Sequence, residues 1–200
     1  MIRLIASRRL SMLLAGVIVA VLAGCTAAPK GPSYPDIRFT QQPQIGLSAS
    51  DIEISTSYRA PLSDPNVDHR FPVSLTDTAR NWAQDRLKMA GGPNRIRYNI
   101  ADASAVEEKL DGTKGIKGAF TTDQSERYTA QISATLQVIN TNGNVVGEVE
   151  VAVKRSHTVA ENYTVNQRNQ IWYDMTRDLA RDLDERMSAE ISKNLGPYLQ

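Results

Sequence analysis

The chain has few of the residues from which metal and redox sites are built. It contains one cysteine and two histidines, His69 and His157, among 200 residues. No intramolecular disulfide can form, and these side chains are too few and too far apart in sequence to suggest a zinc site. The local motifs of serine hydrolases, zinc proteases and dinucleotide-binding proteins are also absent. We therefore predict a protein without a metal, a cofactor or catalytic activity.

Charge of one sign and long apolar runs are scarce as well. The chain has 23 basic and 22 acidic residues, which gives a formal net charge of +1. Such a balanced chain lacks the footprint of a nucleic-acid-binding protein and a polybasic membrane patch. Its one long apolar run, residues 10–22, is shorter than the about 20 residues that a membrane-spanning helix needs. The sequence therefore predicts no nucleic-acid partner.

What the sequence does contain begins in its first 25 residues. Three arginines precede the apolar run, which ends in the motif Leu22-Ala23-Gly24-Cys25. A basic region followed by an apolar region is typical of a secretory signal, and the ending resembles the lipobox of bacterial lipoproteins. That resemblance implies cleavage between Gly24 and Cys25 and acylation of Cys25, with palmitate among the acyl chains. Thr26 in the next position implies the outer membrane rather than the inner one.

The remaining chain is predicted to be a tether followed by one folded domain. Residues 25–50 are rich in proline, glycine, serine and glutamine, a composition that predicts a flexible tether. Residues 51–200 are enough to bury a core without disulfides or metal. Without the signal peptide at 1–24, which holds three basic and no acidic residues, the formal charge is about −2, so no polybasic patch is expected.

Periodicity predicts the elements of the first half of the domain. Alternation of apolar and polar residues over 52–57 predicts a strand. An apolar stripe over 75–90 predicts a helix that Ser74 caps and Gly91-Gly92-Pro93 ends. Alternation returns over 96–100 and predicts a second strand.

The second half of the domain contains the clearest pattern. Alternation over 127–159 predicts a long hairpin with a two-residue turn at Asn142-Gly143. Before it, residues 102–122 lead into a loop whose glycines and lysines at 111–118 lack the Walker spacing, so a connection between strands is favoured over a phosphate site. A final helix is predicted over 164–195, with a capping box at its start. Its solvated side is predicted to carry salt bridges between acidic and basic residues, namely Asp174, Asp178 and Asp182 with Arg177, Arg181 and Arg186.

These elements predict an α+β fold in the order β-α-β-β-β-α. Every predicted strand has one apolar and one polar side, so a single layer of two helices can cover the sheet. We expect a two-layer α/β sandwich, with a mostly antiparallel four-stranded sheet and two helices on one face. The uncovered face is the candidate binding face, although a plain solvated sheet fits the same pattern and the final helix is an alternative surface. Its predicted residues are Arg95, Arg97, Gln131, Ser133, Thr135, Glu150 and Lys154.

Element order and spacing also carry a resemblance to known families. Residues 144–195, which include Trp172-Tyr173-Asp174-Met175-Thr176-Arg177-Asp178-Leu179, and residues 81–87 resemble the LPS-assembly lipoproteins. They also resemble auxiliary lipoproteins of ABC-type lipid transporters, and the whole chain resembles alphaproteobacterial lipoproteins. The resemblance implies a role in lipid or LPS transport.

Together these features predict a non-catalytic binding or assembly factor of the cell envelope. It would face the periplasm from the outer membrane, held by its acyl chains, with an envelope protein or a lipid as its partner. One alternative is an activator of peptidoglycan-synthesis enzymes. A second is an envelope hydrolase that depends on His69 or His157.

Overall fold

The structure, a computed structural model, describes residues 32–110 and 124–200, which form two α-helices, two short 3-10 helices and five strands. The compact unit runs from Tyr34 to Gln200. The predicted signal peptide, Cys25 and the Gly/Lys segment at 111–118 lie outside the described residues. No helix within the described ranges is long and apolar enough to cross a membrane. In chain order the elements are β1 (Ile45–Thr56), α1 (Leu75–Arg86), β2 (Leu87–Asp102), β3 (Ala105–Lys109), β4 (Gln124–Ile139), β5 (Val145–Ala160) and α2 (Val165–Asn194).

Most strand pairs of the sheet are antiparallel, as predicted, but one pair is parallel and the sheet is therefore mixed. β2 pairs with β1 in parallel, with Ile96 beside Ile52. The parallel pair arises because α1 lies between the two strands and returns the chain to the end at which β1 began. The pairs that β4 forms with β2, β3 and β5 are antiparallel.

Five strands are present where we predicted four, because one ribbon of the sheet is interrupted. β5 pairs with β4 along its length, so β2 and β3 both lie along the opposite edge of β4. The two strands are separated at Ala103 and Ser104, where the Ser104 N–H donates to Asp102 Oδ1 at 2.9 Å. The sheet is consequently four ribbons wide, and residues 105–109, which we expected to lead into a loop, form a strand.

The first helix is shorter than its apolar stripe predicted. Its predicted N-cap is confirmed, since the Ser74 side chain accepts a backbone N–H of the first turn at 3.1 Å. The helix ends at Arg86, however, and not at Ala90. Leu87 has extended backbone angles (φ −88°, ψ 133°) and pairs with Ile45 of β1. Residues 87–90 have the apolar spacing of a last helical turn, but they belong to β2 because this strand pairs with β1.

The two glycines that we expected to end this helix lie inside β2. Gly91 and Gly92 have φ angles of +88° and +118°, which residues with a side chain rarely adopt. They belong to a bulge between residues 89 and 94 of β2, where the register with β1 shifts. A side chain at Gly92 would also meet Ser48 Oγ at 2.6 Å.

The folded part begins before residue 51, the boundary that composition predicted. β1 starts at Ile45, and its residues Leu47 and Ala49 are fully buried. Ile37 and Phe39 also pack against the core. The alternation was hidden because prolines and polar residues surround these few apolar positions. Only residues 25–33 of the predicted tether remain outside the compact unit.

Both helices cover the same face of the sheet, as predicted. The ring of Trp82 in α1 lies 5.4 Å from that of Tyr98 in β2, and the ring of Trp172 in α2 lies 5.3 Å from that of Tyr128 in β4. Tyr98 pairs with Leu136 of β4, which is eight residues from Tyr128 and therefore points to the same side of the sheet. Both tryptophans are buried and belong to the core.

The predicted hairpin is present, but its turn is not the two-residue type. Residues 140–144 connect β4 and β5. The side-chain oxygen of Asn140 accepts the N–H groups of Asn142 and Asn144, both at 3.0 Å. Gly143 has a φ of +82°, so the glycine serves a positive φ within a longer loop.

The final helix matches its prediction closely. Its capping box of Thr164 and Gln167 is present. Asp182 does not join the predicted solvated row, because it pairs with Arg155 of β5 at 2.6 Å. Two predicted surface salt bridges are present at 3.0 and 3.2 Å, namely Asp174 with Arg177 and Asp178 with Arg181.

A buried ionic contact joins the two helices. Asp184 of α2 accepts Trp82 Nε1 at 2.9 Å and Arg86 Nε at 2.6 Å, both from α1. Arg86 Nη2 also donates to Ser188 Oγ at 2.9 Å. Only 7% of the Arg86 side chain and 16% of the Asp184 side chain are exposed. The Asp184 carboxylate therefore fixes the position of α1 against α2.

Candidate functional site

The face of the sheet opposite the helices, called the open face below, carries rows of polar side chains. In one row, Glu53 of β1 stands beside Arg97 of β2, followed by Gln137 of β4 and Glu148 of β5. Contacts within the row join Arg97 to Glu53 at 3.3 Å and Gln137 to Glu148 at 2.6 Å. These four side chains lie in line because the residues are paired directly across neighbouring strands and therefore point to the same side of the sheet.

A depression of about 280 Å³ lies between this row and the next one. The second row runs from Ser55 through Asn99 and Thr135 to Glu150. Ser55 Oγ lies 3.3 Å from Asn99 Oδ1. The depression is lined by Glu53, Ser55, Arg97, Asn99, Thr135 and Gln137.

All seven residues of the predicted binding face lie on strands β2, β4 and β5, with the parity of the open face. Of these, Arg97 and Thr135 line the depression, and Glu150 pairs in register with Thr135. Gln131 and Ser133 lie farther along β4, near Asp102, which accepts Gln131 Nε2 at 3.0 Å. Ser133 is only 8% exposed. The remaining two predicted residues are Arg95 and Lys154, both exposed.

The prediction left out four residues that line the depression. Glu53, Ser55, Asn99 and Gln137 point to the same side of the sheet as the predicted residues. Alternation places each of them on the polar side of its strand. Alternation does not show which strands are neighbours. Glu53 and Ser55 belong to the site because β1 pairs in parallel with β2.

The open face carries charges of both signs, and among them Arg97 and Glu53 form a salt bridge. The Arg97–Glu53 pair is about half exposed, with 43% and 55% of the two side chains accessible. Such a pair contributes little to stability and remains available to a ligand. Arg95, Glu150 and Lys154 make no side-chain hydrogen bond or salt bridge to another described residue. No aromatic side chain among the described residues lies on this face, so it suits a polar partner.

The histidines and acidic residues do not assemble into a second site. His69 lies in a short 3-10 helix and His157 in β5, and both are exposed. Across residues 32–110 and 124–200, no three side chains of His, Cys, Asp and Glu are grouped so that they could hold a metal ion.

A strap of residues 34–39 crosses the helices and leads the chain away from the domain. Arg38 Nε donates to Asp85 Oδ2 at 2.8 Å, and Arg38 Nη2 donates to the other carboxylate oxygen. The N–H of Phe39 donates to Asp85 Oδ2 at 2.9 Å, and Asn81 Nδ2 donates to the carbonyl of Ile37 at 3.1 Å. The Arg38 hydrogen bonds, helped by the Phe39 N–H and opposed by burial, lower the pKa of Asp85 below its ordinary value.

We predict that Asp85→Asn loosens this strap. A carboxylate whose pKa is lowered on folding stabilises the fold above the unfolded pKa of about 3.9, and the stabilisation is lost as the pH falls through the lower folded value. The protection factor of the Phe39 amide, which is the exchange rate of an unfolded peptide at the same pH divided by the rate of this amide, should therefore be lower in Asp85→Asn at neutral pH, and in the unmodified chain it should fall only in acid. Hydrogen exchange measured by NMR reports this amide directly.

Asp77→Asn is the matched control for this prediction. Asp77 lies on the same helix, but 61% of its side chain is exposed and it pairs with Arg80 one turn away. Its substitution should leave the Phe39 amide unchanged. Equal protection of that amide in Asp85→Asn and the unmodified chain would contradict the role of Asp85.

Comparisons with known proteins give distant structural matches. No protein-family model matches the chain, and no curated protein matches it. Among solved structures, it is similar to a minor lipoprotein from Acinetobacter baumannii at 14% identity and a TM-score of 0.41, over 74% of this chain and 93% of that one. It is also similar to a Xanthomonas campestris protein of the DUF330 family at 10% identity and a TM-score of 0.32, over 80% and 98%.

Proposed function

We propose that this chain is a lipoprotein of the bacterial cell envelope that works by binding and not by catalysis. Acyl chains on Cys25 would hold it at the periplasmic face of the outer membrane. The lipobox motif supports the anchor, and Thr26 supports the outer membrane. The scarcity of histidine and cysteine supports a role without catalysis.

The open face is the observation that carries the binding role. Six polar side chains from three strands line one depression, and contacts across the strands restrain several of them. A ligand that binds such a surface loses little free energy to ordering it, because the strands already hold the side chains in place. Polar groups on a rigid sheet are therefore suited to docking.

The chemistry of this face favours a polar, mixed-charge partner. It has exposed cations at Arg95 and Lys154 and an exposed anion at Glu150. An acyl chain would find no apolar or aromatic patch on the two rows that border the depression. We therefore propose an envelope protein as the partner, within lipid or LPS transport, and an activator of peptidoglycan synthesis as the alternative.

Photo-crosslinking in the living cell tests this proposal. A photoreactive residue at Glu150 of the full-length chain should give one discrete adduct, which mass spectrometry should identify as a lipid-transport component. Adding Arg97→Glu should reduce that adduct several-fold, because it places two like charges beside each other at Glu53. The matched control position is Arg181, which is 57% exposed on the outer side of α2 and should give no discrete adduct.

Three outcomes would contradict parts of the proposal. An adduct from Arg181 but not from Glu150 would make α2 the docking surface. A cell-wall synthase in the adduct would favour the activator. Turnover of an envelope substrate by residues 26–200, lost on substitution of His69 or His157, would show a hydrolase.

A further inference from the structure

The start of α2 and the β4–β5 turn lie at opposite ends of the domain. α2 runs antiparallel to β5, since Arg155 contacts Asp182 while Ala152, earlier in β5, accepts from Arg186 at 3.2 Å. Its first turns lie at the start of β4, where Arg168 donates to the Tyr128 hydroxyl at 2.8 Å. Its 30 residues span about 45 Å. The β4–β5 turn therefore lies about 45 Å from the start of α2.

The strap brings the chain to the first of these two ends. The ring of Tyr34 lies 5.3 Å from that of Tyr173 in α2. Its hydroxyl group lies 3.4 Å from the carbonyl oxygen of Asn166, to which it donates. Because Asn166 is the second residue of α2, the compact unit starts beside the first turn of this helix.

Covalent length limits how far this end can be from an acylated Cys25. Eight residues, 26–33, separate Cys25 from Tyr34. Fully extended they span about 30 Å, and a flexible chain of that length averages about 17 Å from end to end. Both lengths are shorter than the about 45 Å from the start of α2 to the β4–β5 turn. The end that holds Tyr34 is therefore the one that the tether keeps beside the bilayer.

This end also exposes apolar and aromatic side chains. Val165, the first residue of α2, is 72% exposed, and Tyr163 two residues earlier is 36% exposed. Tyrosine is enriched where protein meets the headgroup layer, because its ring is apolar and its hydroxyl is polar. A valine exposed to this degree contributes little to the core.

We infer that the first turn of α2, with Tyr163 and Val165, is a bilayer-contacting surface that sets the orientation of the domain on its membrane. This inference rests on the proposed acylation of Cys25. The open face then stands roughly perpendicular to the bilayer, because the strands run along α2 away from it. The contact is apolar and interfacial, so it should persist at high salt.

Single thiols on the lipidated protein test the orientation. Acylation consumes the only native cysteine, so Val165→Cys and Val145→Cys each supply one free thiol. Val145 is the matched control, because it is 49% exposed and lies at the β4–β5 turn. Each thiol is labelled with an environment-sensitive fluorophore, and the full lipidated chain is reconstituted in vesicles of phosphatidylethanolamine and phosphatidylglycerol containing a quencher on the acyl chain.

The expected result is a blue-shifted emission and several-fold stronger quenching for the label at Val165 than for the label at Val145, at low and high salt. Equal quenching at both positions, in protein that floats with the vesicles, would overturn the inference and leave the anchor intact. Protein that does not float would overturn both. Matching circular dichroism and melting of the two variants checks their folding.

Discussion

Asp184→Ala is expected to lower the free energy of unfolding by about 3 kcal/mol, because it leaves the buried Arg86 without its counter-charge. It also removes the acceptor of Trp82 Nε1, an indole nitrogen in a fully buried side chain. For a domain of this size the loss corresponds to about 9 °C in Tm. Chemical denaturation and calorimetry of residues 26–200 measure both quantities.

Asp178→Ala is the control for this prediction. Asp178 lies on the same helix and pairs with Arg181 at 3.2 Å, but 38% and 57% of the two side chains are exposed. Its substitution should change stability by less than about 0.5 kcal/mol. The double variant Arg86→Ala with Asp184→Ala should cost less than the sum of the single changes, because no charge is then left buried alone. Additive costs would contradict a coupled ionic contact.

Local signals predicted the parts of the fold that depend on local physics. The Ser74 cap, the Thr164 capping box and the long β4–β5 hairpin are all encoded within a few residues of each other. A cap needs one hydroxyl oxygen at the right offset, and alternation needs only a pleated strand with one dry side. Such features are therefore legible in a single sequence.

Features that depend on distant residues were missed for a physical reason. Residues 87–90 have the apolar spacing of a helix, but pairing with residues 45–47 of β1 makes them a strand. Asp85 has the appearance of an ordinary helix-surface acid until Arg38 and Phe39 fold onto it. Residues close in sequence to 87–90 and Asp85 do not indicate the distant residues with which they pair.

The open face shows both sides of this distinction. The alternation of apolar and polar residues alone placed Arg97 and Thr135 on a polar face, and both line the depression. Parity does not decide that β1 is the neighbour of β2, and therefore that Glu53 stands opposite Arg97. The residues of the open face form a site only because β1, β2 and β4 are neighbours. The position of β1 beside β2 depends on the crossover through α1.

Cys25→Ser is expected to abolish lipid attachment completely. The sulfur of a lipobox cysteine is the nucleophile to which the lipid is first attached, and a serine hydroxyl is a far weaker nucleophile at neutral pH because its oxygen stays protonated. Each buried methylene contributes about 0.8 kcal/mol to membrane binding, so two acyl chains of ordinary length contribute about 20 kcal/mol. Metabolic labelling with an alkyne fatty acid should therefore give no signal for the variant.

Release from the membrane is the second part of this prediction. An uncleaved signal would retain the chain by itself, so Cys25→Ser is also placed behind a signal peptide that is removed independently of acylation. That protein should appear in the soluble periplasmic fraction, whereas Thr26→Ser behind the native signal should remain acylated and membrane-bound. The bilayer contact that we infer for α2 rests on two exposed apolar side chains, Tyr163 and Val165, which by themselves bury too little apolar surface to replace two acyl chains. Full retention of the serine variant in the membrane fraction, with cleavage complete and no fatty acid attached, would therefore refute the anchor.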